Sequence, residues 1–427
     1  MTQRRTYSLF EAWGIEIEAM LVDATSFDVA PVSDRVLRAA EARRTGADPG
    51  TLPWIGDFGD GRVEWSNELV AHVVEFKTAE PATSLEGLAD AFRASQRLCD
   101  TIAREEAGAR LVPGAMHPWM DPKRETTLWP HDNAEIYGAY DRMFDCRRHG
   151  WANLQSVHLN LPFANDEEFG RLMAAIRVAL PLVPALAAAS PVIEGRSTGL
   201  LDNRLEVYRT NSAKVGAMTG DVVPEQAFDR ETYKRLVFDA IDAQLHAMKA
   251  DEVLFGVEWT NARGAIARFD RMAIEIRLID AQECAAADVA VAAAVAGLVR
   301  GLVDGRWSSS ERQREFASAP LVALLVDATA RAGAAVLPGA EYAALFGLEG
   351  DPPATARDLL RRLVPGSFAG PAELEAPLQV VLDRGTLGER MVAALGGPEV
   401  REPSRDALRS LLGRVSDCML EGASFLP

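Results

Sequence analysis

Cysteine is scarce in this sequence, and the four cysteines are scattered. Cys99, Cys146, Cys284 and Cys418 form no C-x-x-C pair. This spacing argues against a zinc site and against a disulfide framework. It fits reduced thiols, so we expect a cytoplasmic protein.

Positive charge and long apolar runs are also lacking. The net charge is −17 at pH 7, and no cluster of lysine and arginine forms a basic face, so no nucleic-acid partner is expected. The longest apolar run, residues 289–299, lies between Asp288 and Arg300. It is too short to span a bilayer, so it predicts a buried helix and no membrane partner. The first residues do not resemble a signal peptide, and none is predicted.

The two familiar phosphate-binding loops, GxxxxGK[ST] and GxGxxG, are absent from the sequence. The glycine-rich segment 56–61 carries Asp57 and Asp60, which would repel phosphate, so we predict a turn there. A nucleotide bound by this chain would therefore be held by metal ions and arginine instead of a backbone cradle.

What is present indicates an α+β fold. Hydrophobic residues make up 48% and charged residues 25% of the 427 residues, as in globular proteins. Up to about residue 280 amphipathic strand patterns alternate with helix patterns, and the remainder is helical. Amphipathic strands favour an antiparallel sheet with one face covered by helices. We divide the chain into residues 1–305 and a mainly helical region, 306–427, packed on it.

Several local predictions follow from pattern and turn chemistry. They are a strand over 13–23, a helix over 34–44 capped by Ser33 or Asp34, a helix over 84–107 capped by Ser84, and two strands, 252–260 and 265–280, across a turn at 261–264.

Paired polar residues recur on these strands. Glu16 and Glu18 are two apart, so they share one strand face. Two adjacent carboxylates repel each other unless a cation shares the site. The alternative is a solvent-facing polar edge.

Two further strands show the same spacing. His158 and Asn160 share one face, as do Glu275 and Arg277. Taken singly, such pairs are usually structural or surface ion pairs. Glu68 and Glu75 are seven residues apart, so a bulge or turn is needed to bring them together.

A sheet that gathers these residues would hold carboxylates, one imidazole and a nearby arginine. Oxygen ligands with one imidazole suit Mg²⁺ or Mn²⁺, and arginine suits phosphate. Metal with phosphate indicates nucleotide chemistry.

Six motifs, in order over roughly residues 13–304, resemble those of glutamate–cysteine ligase family 2 and its carboxylate–amine ligase relatives. They are Gly14-Ile15-Glu16-Ile17-Glu18; Glu68 with Glu75-Phe76-Lys77-Thr78; Gly114-Ala115-Met116-His117-Pro118; His158-Leu159-Asn160; Ala189-Ser190-Pro191 with Gly195-Arg196-Ser197-Thr198-Gly199 and Arg204; and Glu275-Ile276-Arg277-Leu278-Ile279-Asp280.

The resemblance implies a glutamine-synthetase-like fold, in which a curved antiparallel sheet holds metal, ATP and an amino acid and helices cover the outer face. Residues 1–305 would be the catalytic domain. ATP and Mg²⁺, or Mn²⁺, would be the cofactors. The implied metal ligands are Glu16, Glu18, Glu68, Glu75, His158 and Glu275.

The resemblance also implies roles for other side chains. Arg277 would contact the γ-phosphate, and Glu75 would take part in binding ATP. Arg204 would hold the carboxylate substrate or the transferred phosphoryl group, and Arg209 and Asn160 are further substrate-binding candidates. The implied reaction activates a carboxylate, with glutamate as the first choice, as an acyl phosphate that an amine attacks.

Departures from the motifs leave the amine open. Ala189 stands where the family has Asn, and Gln155-Ser156 replaces a Cys-Gly or a second His. One alternative is a guanidino-kinase-like phosphotransferase, but such kinases need a reactive cysteine and Cys284 lies outside the strand faces. A non-catalytic nucleotide-binding protein is the other. The expected partners are the small-molecule carboxylate and amine substrates. The sequence leaves open whether the protein forms a homo-oligomer.

Overall fold

The structure is a computed structural model, described here for residues 5–427, and it combines an antiparallel sheet with many helices. The strands are β1 (Gly14–Asp23), β2 (Asp57–Asp60), β3 (Val63–Asn67), β4 (Val73–Thr78), β5 (Ala109–Val112), β6 (Ser156–Pro162), β7 (Val192–Ile193), β8 (Arg196–Ser197), β9 (Ala265–Arg268) and β10 (Ala273–Asp280).

Helices form many of the connections and most of the C-terminal region described. The α-helices are α1 (Ser33–Thr45), α2 (Leu88–Ala107), α3 (Pro122–Glu125), α4 (Ala134–Phe144), α5 (His149–Ala152), α6 (Asp166–Ala179), α7 (Pro184–Ala187), α8 (Asn203–Asn211), α9 (Gly216–Thr219), α10 (Arg230–Tyr233), α11 (Asp239–Ala247), α12 (Ala285–Val303), α13 (Ser310–Glu315), α14 (Ser318–Arg331), α15 (Ala340–Ala344), α16 (Ala356–Ser367), α17 (Glu375–Arg384), α18 (Leu387–Ala394) and α19 (Arg405–Glu421). A π-helical turn, Lys234–Phe238, joins α10 to α11.

Eight strands form one sheet in the order β2-β3-β4-β1-β6-β10-β9, with β5 also paired to β1. Every pairing in it is antiparallel. The predicted combination of helices with an antiparallel sheet is therefore confirmed. Because β1 is central, its polar face meets β4 on one side and β6 on the other.

The opposite face of β1 carries the core. Ile15 and Ile17 are buried, and helix α12 contacts both β1 and β6. In the described part of the chain, α12 is the one helix long and apolar enough to cross a membrane, and most of it is buried within the protein. The prediction of a buried helix is confirmed.

The C-terminal helices pack closely on α12. A Cβ atom at Gly297 would lie 2.1 Å from the carbonyl oxygen of Ser367, and one at Gly301 would lie 2.5 Å from the ring of Trp307. Only glycine permits approaches this close. Residues beyond 305 therefore share the core of the preceding region, while the boundary at 305 stays a prediction.

Both predicted serine caps are wrong. Ser33 is the first residue of α1, and its cap position is Val32, which makes no side-chain hydrogen bond. Helix α2 begins at Leu88 after Gly87, four residues beyond Ser84. The hydroxyl oxygen of Ser84 accepts a hydrogen bond from the backbone N–H of Glu86, so it closes a local turn and is not available as a cap.

The predicted hairpin is also wrong in position. Segment 252–260 contains two 3₁₀ turns, Glu252–Leu254 and Glu258–Thr260, instead of a strand. Segment 265–280 folds back on itself as β9 and β10. The reversal uses Met272, whose φ is +55°.

Most of segment 56–61 is a strand, Asp57–Asp60, and the predicted turn is confined to its end at Gly61. Strand β2 pairs with β3 at the edge of the sheet. The reason is the packing of Phe58, whose ring is buried 4.8 Å from the centre of the ring of Trp65. This packing outweighs the turn preference of the surrounding glycines.

Candidate active site

The register of the central strands brings the predicted polar residues together. Glu16 on β1 lies opposite His158 on β6, and Gly14 lies opposite Asn160. Nδ1 of His158 is 3.0 Å from Oε2 of Glu16, and the Asn160 amide donates to Oε1 of Glu16 at 3.1 Å. A Cβ on Gly14 would lie 2.9 Å from Cβ of Asn160, so glycine at this position leaves room for the amide.

Ser156 connects this group to Glu18. Its backbone N–H donates to Oε2 of Glu18 at 2.7 Å, and its hydroxyl lies 2.9 Å from Nε2 of His158. Glu16, His158, Ser156 and Glu18 therefore form one continuous hydrogen-bonded row across β1 and β6.

Glu68 and Glu75 converge on the same face. Glu75 lies in β4 opposite Glu18, whereas Glu68 lies in the irregular segment between β3 and β4. That segment supplies the turn that the seven-residue spacing demanded. His72 points away and lies 2.7 Å from the carbonyl oxygen of Ala152.

Two overlapping groups of side chains have the geometry of metal ligands. One potential ligand atom from each of Glu16, Glu75 and His158 lies within 4.8 Å of the others, and the same holds for Glu18, Glu68 and Glu75. Glu75 belongs to both groups, so the two positions would be adjacent.

The electrostatics of the cluster reflect its burial and its excess of carboxylates. Burial and the charge of Glu18 raise the pKa of Glu68 to about 8. Burial, with the charges of Glu16 and Glu68, raises the pKa of Glu75 well above its ordinary value. Both glutamates thus prefer to be neutral unless positive charge is supplied, as a divalent cation would do.

Glu16 differs because it has cationic neighbours. Burial raises its pKa, but the hydrogen bond and charge of His158, with Arg271 and Arg277, outweigh burial and lower it to about 2. For His158, burial and the charge of Arg277 lower the pKa, but Glu16 and Glu275 outweigh them and raise it. The opposite directions of the two pKa shifts favour the charged form of the pair over the neutral one.

Glu275 lies beside the two ligand groups and is held by two arginines. Its carboxylate pairs with Arg277 and with Nη1 of Arg268 at 3.1 Å, and it lies 3.7 Å from Nδ1 of His158. Neither ligand group found among the described residues includes Glu275. Its contacts position the two arginines and the histidine.

Arg204 lies in the first turn of α8. It is buried and pairs with Asp280. Nη2 of Arg204, the hydroxyl of Tyr208 and Nε of Arg277 are buried atoms without a hydrogen-bond partner within residues 5–427. All three side chains face one cavity, and buried donors of this kind need a ligand or water.

The cavity has a volume of about 350 Å³. Its lining includes Glu18, Glu68, Ser156, His158, Arg204, Arg277, Tyr137, Tyr140, Tyr208, Asn211, Trp151 and Trp259. Arg209 does not line the cavity and instead pairs with Glu206 at 3.2 Å.

Tyr208 and the aromatic side chains that line the cavity were not predicted from the sequence. Tyr208 follows Arg204 by four residues, which places both on one face of a helix. The signal was present, but no helix after Asp202 was predicted. No cysteine lines the cavity, although all four lie in the described residues; Cys284 is buried, and burial raises its pKa.

Comparison with known proteins agrees with this geometry. Residues 12–335 match the family described as glutamate–cysteine ligase family 2. An uncharacterized protein of Archaeoglobus fulgidus is 34% identical over 279 residues, which is 65% of this chain and 72% of that protein. A Rubrobacter xylanophilus protein, provisionally named glutamate–cysteine ligase 2-3, is 30% identical over 199 residues, 46% of this chain and 47% of that protein. The chain thus spans about half the length of this named relative.

Solved structures show the same fold at low identity. The glutamate–cysteine ligase of Francisella tularensis, solved in complex with AMP, superposes with a TM-score of 0.61 at 12% identity, covering 97% of this chain and 90% of that one. A bifunctional glutathione synthetase of Pasteurella multocida gives a TM-score of 0.52 at 14% identity, covering 95% of this chain and 52% of that one.

Proposed function

The chain belongs to glutamate–cysteine ligase family 2, and on that premise we propose that it joins a carboxylate to an amine with the hydrolysis of ATP. Glutamate is the proposed acid. The proposed cofactors are ATP and Mg²⁺ or Mn²⁺, and the intermediate is an acyl phosphate. We place the catalytic residues in the region before 305 and the reaction in the cytoplasm.

One observation carries the proposal. Four glutamates converge with His158 beside two arginines, and two of the glutamates, Glu18 and Glu75, are buried while the other two are half-buried. Glu18, Glu68, His158 and both arginines line a single cavity. A soluble protein rarely buries such a set without a ligand, because each unpaired charge costs free energy. In this proposal the sheet curves around the substrates, with its helices on the outer face.

The acidic residues fit a divalent cation. The raised pKa values of Glu68 and Glu75 show carboxylates crowded beyond what the local positive charge balances. Glu16, Glu75 and His158 would hold one ion, and Glu18, Glu68 and Glu75 another. Bound there, the metal would neutralise charge on the phosphate oxygens of ATP.

The arginines would bind the reacting groups. Arg204 is held by Asp280 and keeps Nη2 free toward the cavity, so it can hold the acid substrate's carboxylate or the transferred phosphoryl group. Arg277 is held by Glu275 and would stabilise negative charge at the γ-phosphate. Asn160 orients Glu16 and would act through it, and Arg209 keeps only a peripheral role.

The chemistry needs no protein nucleophile. The substrate carboxylate attacks the γ-phosphorus, ADP leaves, and the amine then attacks the acyl carbon and expels phosphate. The chain's residues bind, orient and neutralise charge during both steps.

A panel of substrates tests the proposal. The protein is incubated with ATP, Mg²⁺, glutamate and a set of amines including cysteine, and ADP and phosphate are measured. Release of both that depends on acid and amine together supports ligation. A phosphorylated product without inorganic phosphate would instead show a kinase, and silence across the panel would leave nucleotide binding alone.

A further inference from the structure

A second cavity, of about 770 Å³, lies beside α5. Arg147, Arg148 and His149 line it, whereas the next residues, Gly150 and Trp151, line the active-site cavity. The two cavities are therefore separated by little more than one helical turn. No step of the proposed reaction uses this second cavity.

The charges at its wall favour anions. Four cationic side chains, Lys123, Arg147, Arg148 and Arg405, stand against two carboxylates, Asp121 and Glu194. This local excess of positive charge contrasts with the net charge of −17 for the chain. Such a contrast favours a bound anion over general solubility.

The two carboxylates in the wall already have partners. Asp121 accepts a hydrogen bond from the backbone N–H of Lys123 at 3.1 Å. Glu194 lies 3.3 Å from Nε2 of His149. The wall's carboxylates are therefore poorly placed to satisfy its cations.

The cations are less well satisfied. Among residues 5–427, the side chains of Lys123 and Arg147 form no ion pair within 4.0 Å. Arg148 donates only to the carbonyl oxygen of Asn211, at 3.2 Å. Three cations around one cavity, none of them paired with a carboxylate of the described residues, can bind a ligand that has more than one negative group.

The fourth cation, Arg405, is held in place by Trp119 and Asp28. The guanidinium of Arg405 stacks on the ring of Trp119, 3.7 Å from its centroid, and pairs with Asp28. The indole N–H of Trp119 donates to Asp28 at 3.1 Å. Arg405 lies beyond residue 335, where the family match ends, so the cavity depends on the C-terminal region of this chain.

We propose that this cavity is a second binding site, and that its ligand is a small molecule with two or more carboxylate or phosphate groups. The site also contacts the active site. The carbonyl oxygen of Asn211 accepts hydrogen bonds from both Arg148 and the indole of Trp151, each at 3.2 Å.

Calorimetric titration of the full chain in Mg²⁺-free buffer tests the proposal. Citrate and pyrophosphate are the two probes, because they distinguish a polycarboxylate ligand from a phosphorylated one. The test variant is Lys123→Gln/Arg147→Gln. The matched control is Arg97→Gln/Arg124→Gln, which removes the same charge from exposed arginines that do not line the cavity.

At least one probe should bind the wild type. Its affinity for the test variant should be about tenfold lower, and its affinity for the control should stay within twofold of the wild-type value. Binding of citrate alone assigns the ligand to polycarboxylates, and binding of pyrophosphate alone assigns it to phosphates. The proposal is overturned if neither probe binds, if the test variant binds as tightly as the wild type, or if both variants lose affinity equally. Melting temperatures within about 2 °C of wild type show that all three proteins are folded.

Discussion

Glu18 on β1 and Glu75 on β4 are direct cross-strand partners, and both side chains are buried. Like charges directly opposite one another destabilise a sheet. Neither glutamate pairs with an arginine within the described residues; the nearest cation to Glu75 is Nζ of Lys77 at 3.9 Å. This pair at the centre of the sheet lowers the stability of the sheet and creates a position that attracts cations.

Replacement of Glu75 by Gln is therefore expected to separate activity from stability. It removes a ligand common to both candidate metal positions, so kcat/KM should fall at least about 100-fold. The melting temperature without metal should stay level or rise, because a crowded carboxylate is lost. Steady-state ADP release and thermal unfolding measure the two effects.

Glu80→Gln is the matched control, since Glu80 is exposed at the end of the same segment. It should leave kcat/KM within twofold of the wild type. Mg²⁺ should raise the melting temperature of the wild type and of Glu80→Gln but not of Glu75→Gln. An equal rise in all three proteins would contradict the assignment of Glu75 as a ligand.

Glu275→Gln, unlike Glu75→Gln, should lower the stability of the protein. The carboxylate of Glu275 is buried between Arg268 and Arg277. Removing its charge leaves the guanidinium of Arg277 without its counter-ion, while Arg268 keeps Asp270, and the expected cost is about 3 kcal/mol in the free energy of unfolding. Urea denaturation measures that cost.

Arg268→Gln provides the comparison for this prediction. It leaves Glu275 paired with Arg277, so the loss of stability should be smaller than for Glu275→Gln. If Glu275→Gln keeps wild-type stability and regains activity only at a raised Mg²⁺ concentration, Glu275 is a metal ligand and the positioning role described above is wrong.

The polar strand faces could be predicted from the sequence because the strand period is fixed. Alternation alone places Glu16 with Glu18 and His158 with Asn160. Which pair faces which depends on register, and register is set by contacts far apart in the chain. The family motifs, and not the periodicity, supplied the expectation that these strands share one site.

The ion pair of Glu275 with Arg268 could not be predicted for a related reason. In a single strand over 265–280, Arg268 and Glu275 would be about 23 Å apart at ~3.3 Å per residue. The hairpin of β9 and β10 brings them to 3.1 Å. A reversal at Met272 has no glycine or proline to mark it, so the sequence carries no strong turn signal there.

Two buried histidines predict how stability depends on pH. Burial lowers the pKa of His72 and of His117 to about 4, whereas an unfolded histidine titrates near 6.5. Below about pH 6.5 the unfolded chain therefore binds protons that the native protein does not. The free energy of unfolding should fall by about 2 kcal/mol per histidine between pH 6.5 and pH 5.

Urea denaturation across that range measures the slope. In His72→Gln/His117→Gln the slope should be clearly shallower, because glutamine does not titrate. Glutamine can still donate to the carbonyl oxygens that the two imidazoles contact, those of Ala152 and Phe27. An unchanged slope in this variant would show that other groups dominate the pH dependence.

Tyr208→Phe is the sharpest test of the substrate end of the cavity. The hydroxyl of Tyr208 is buried and has no partner within residues 5–427, while the ring packs against the core. Loss of an unsatisfied hydroxyl should stabilise the free protein slightly, by about 1 kcal/mol. If that hydroxyl donates to the acid substrate beside Arg204, KM for the acid should rise about tenfold or more, with a smaller change in kcat.

Tyr342→Phe is the matched control for this substitution. Its hydroxyl donates to the carbonyl oxygen of Val178 at 2.8 Å, away from the cavity. Tyr342→Phe should therefore lose stability and keep its KM, the reverse of Tyr208→Phe. A KM for the acid that is unchanged in Tyr208→Phe would remove Tyr208 from the binding site and leave Arg204 as the carboxylate's partner on α8.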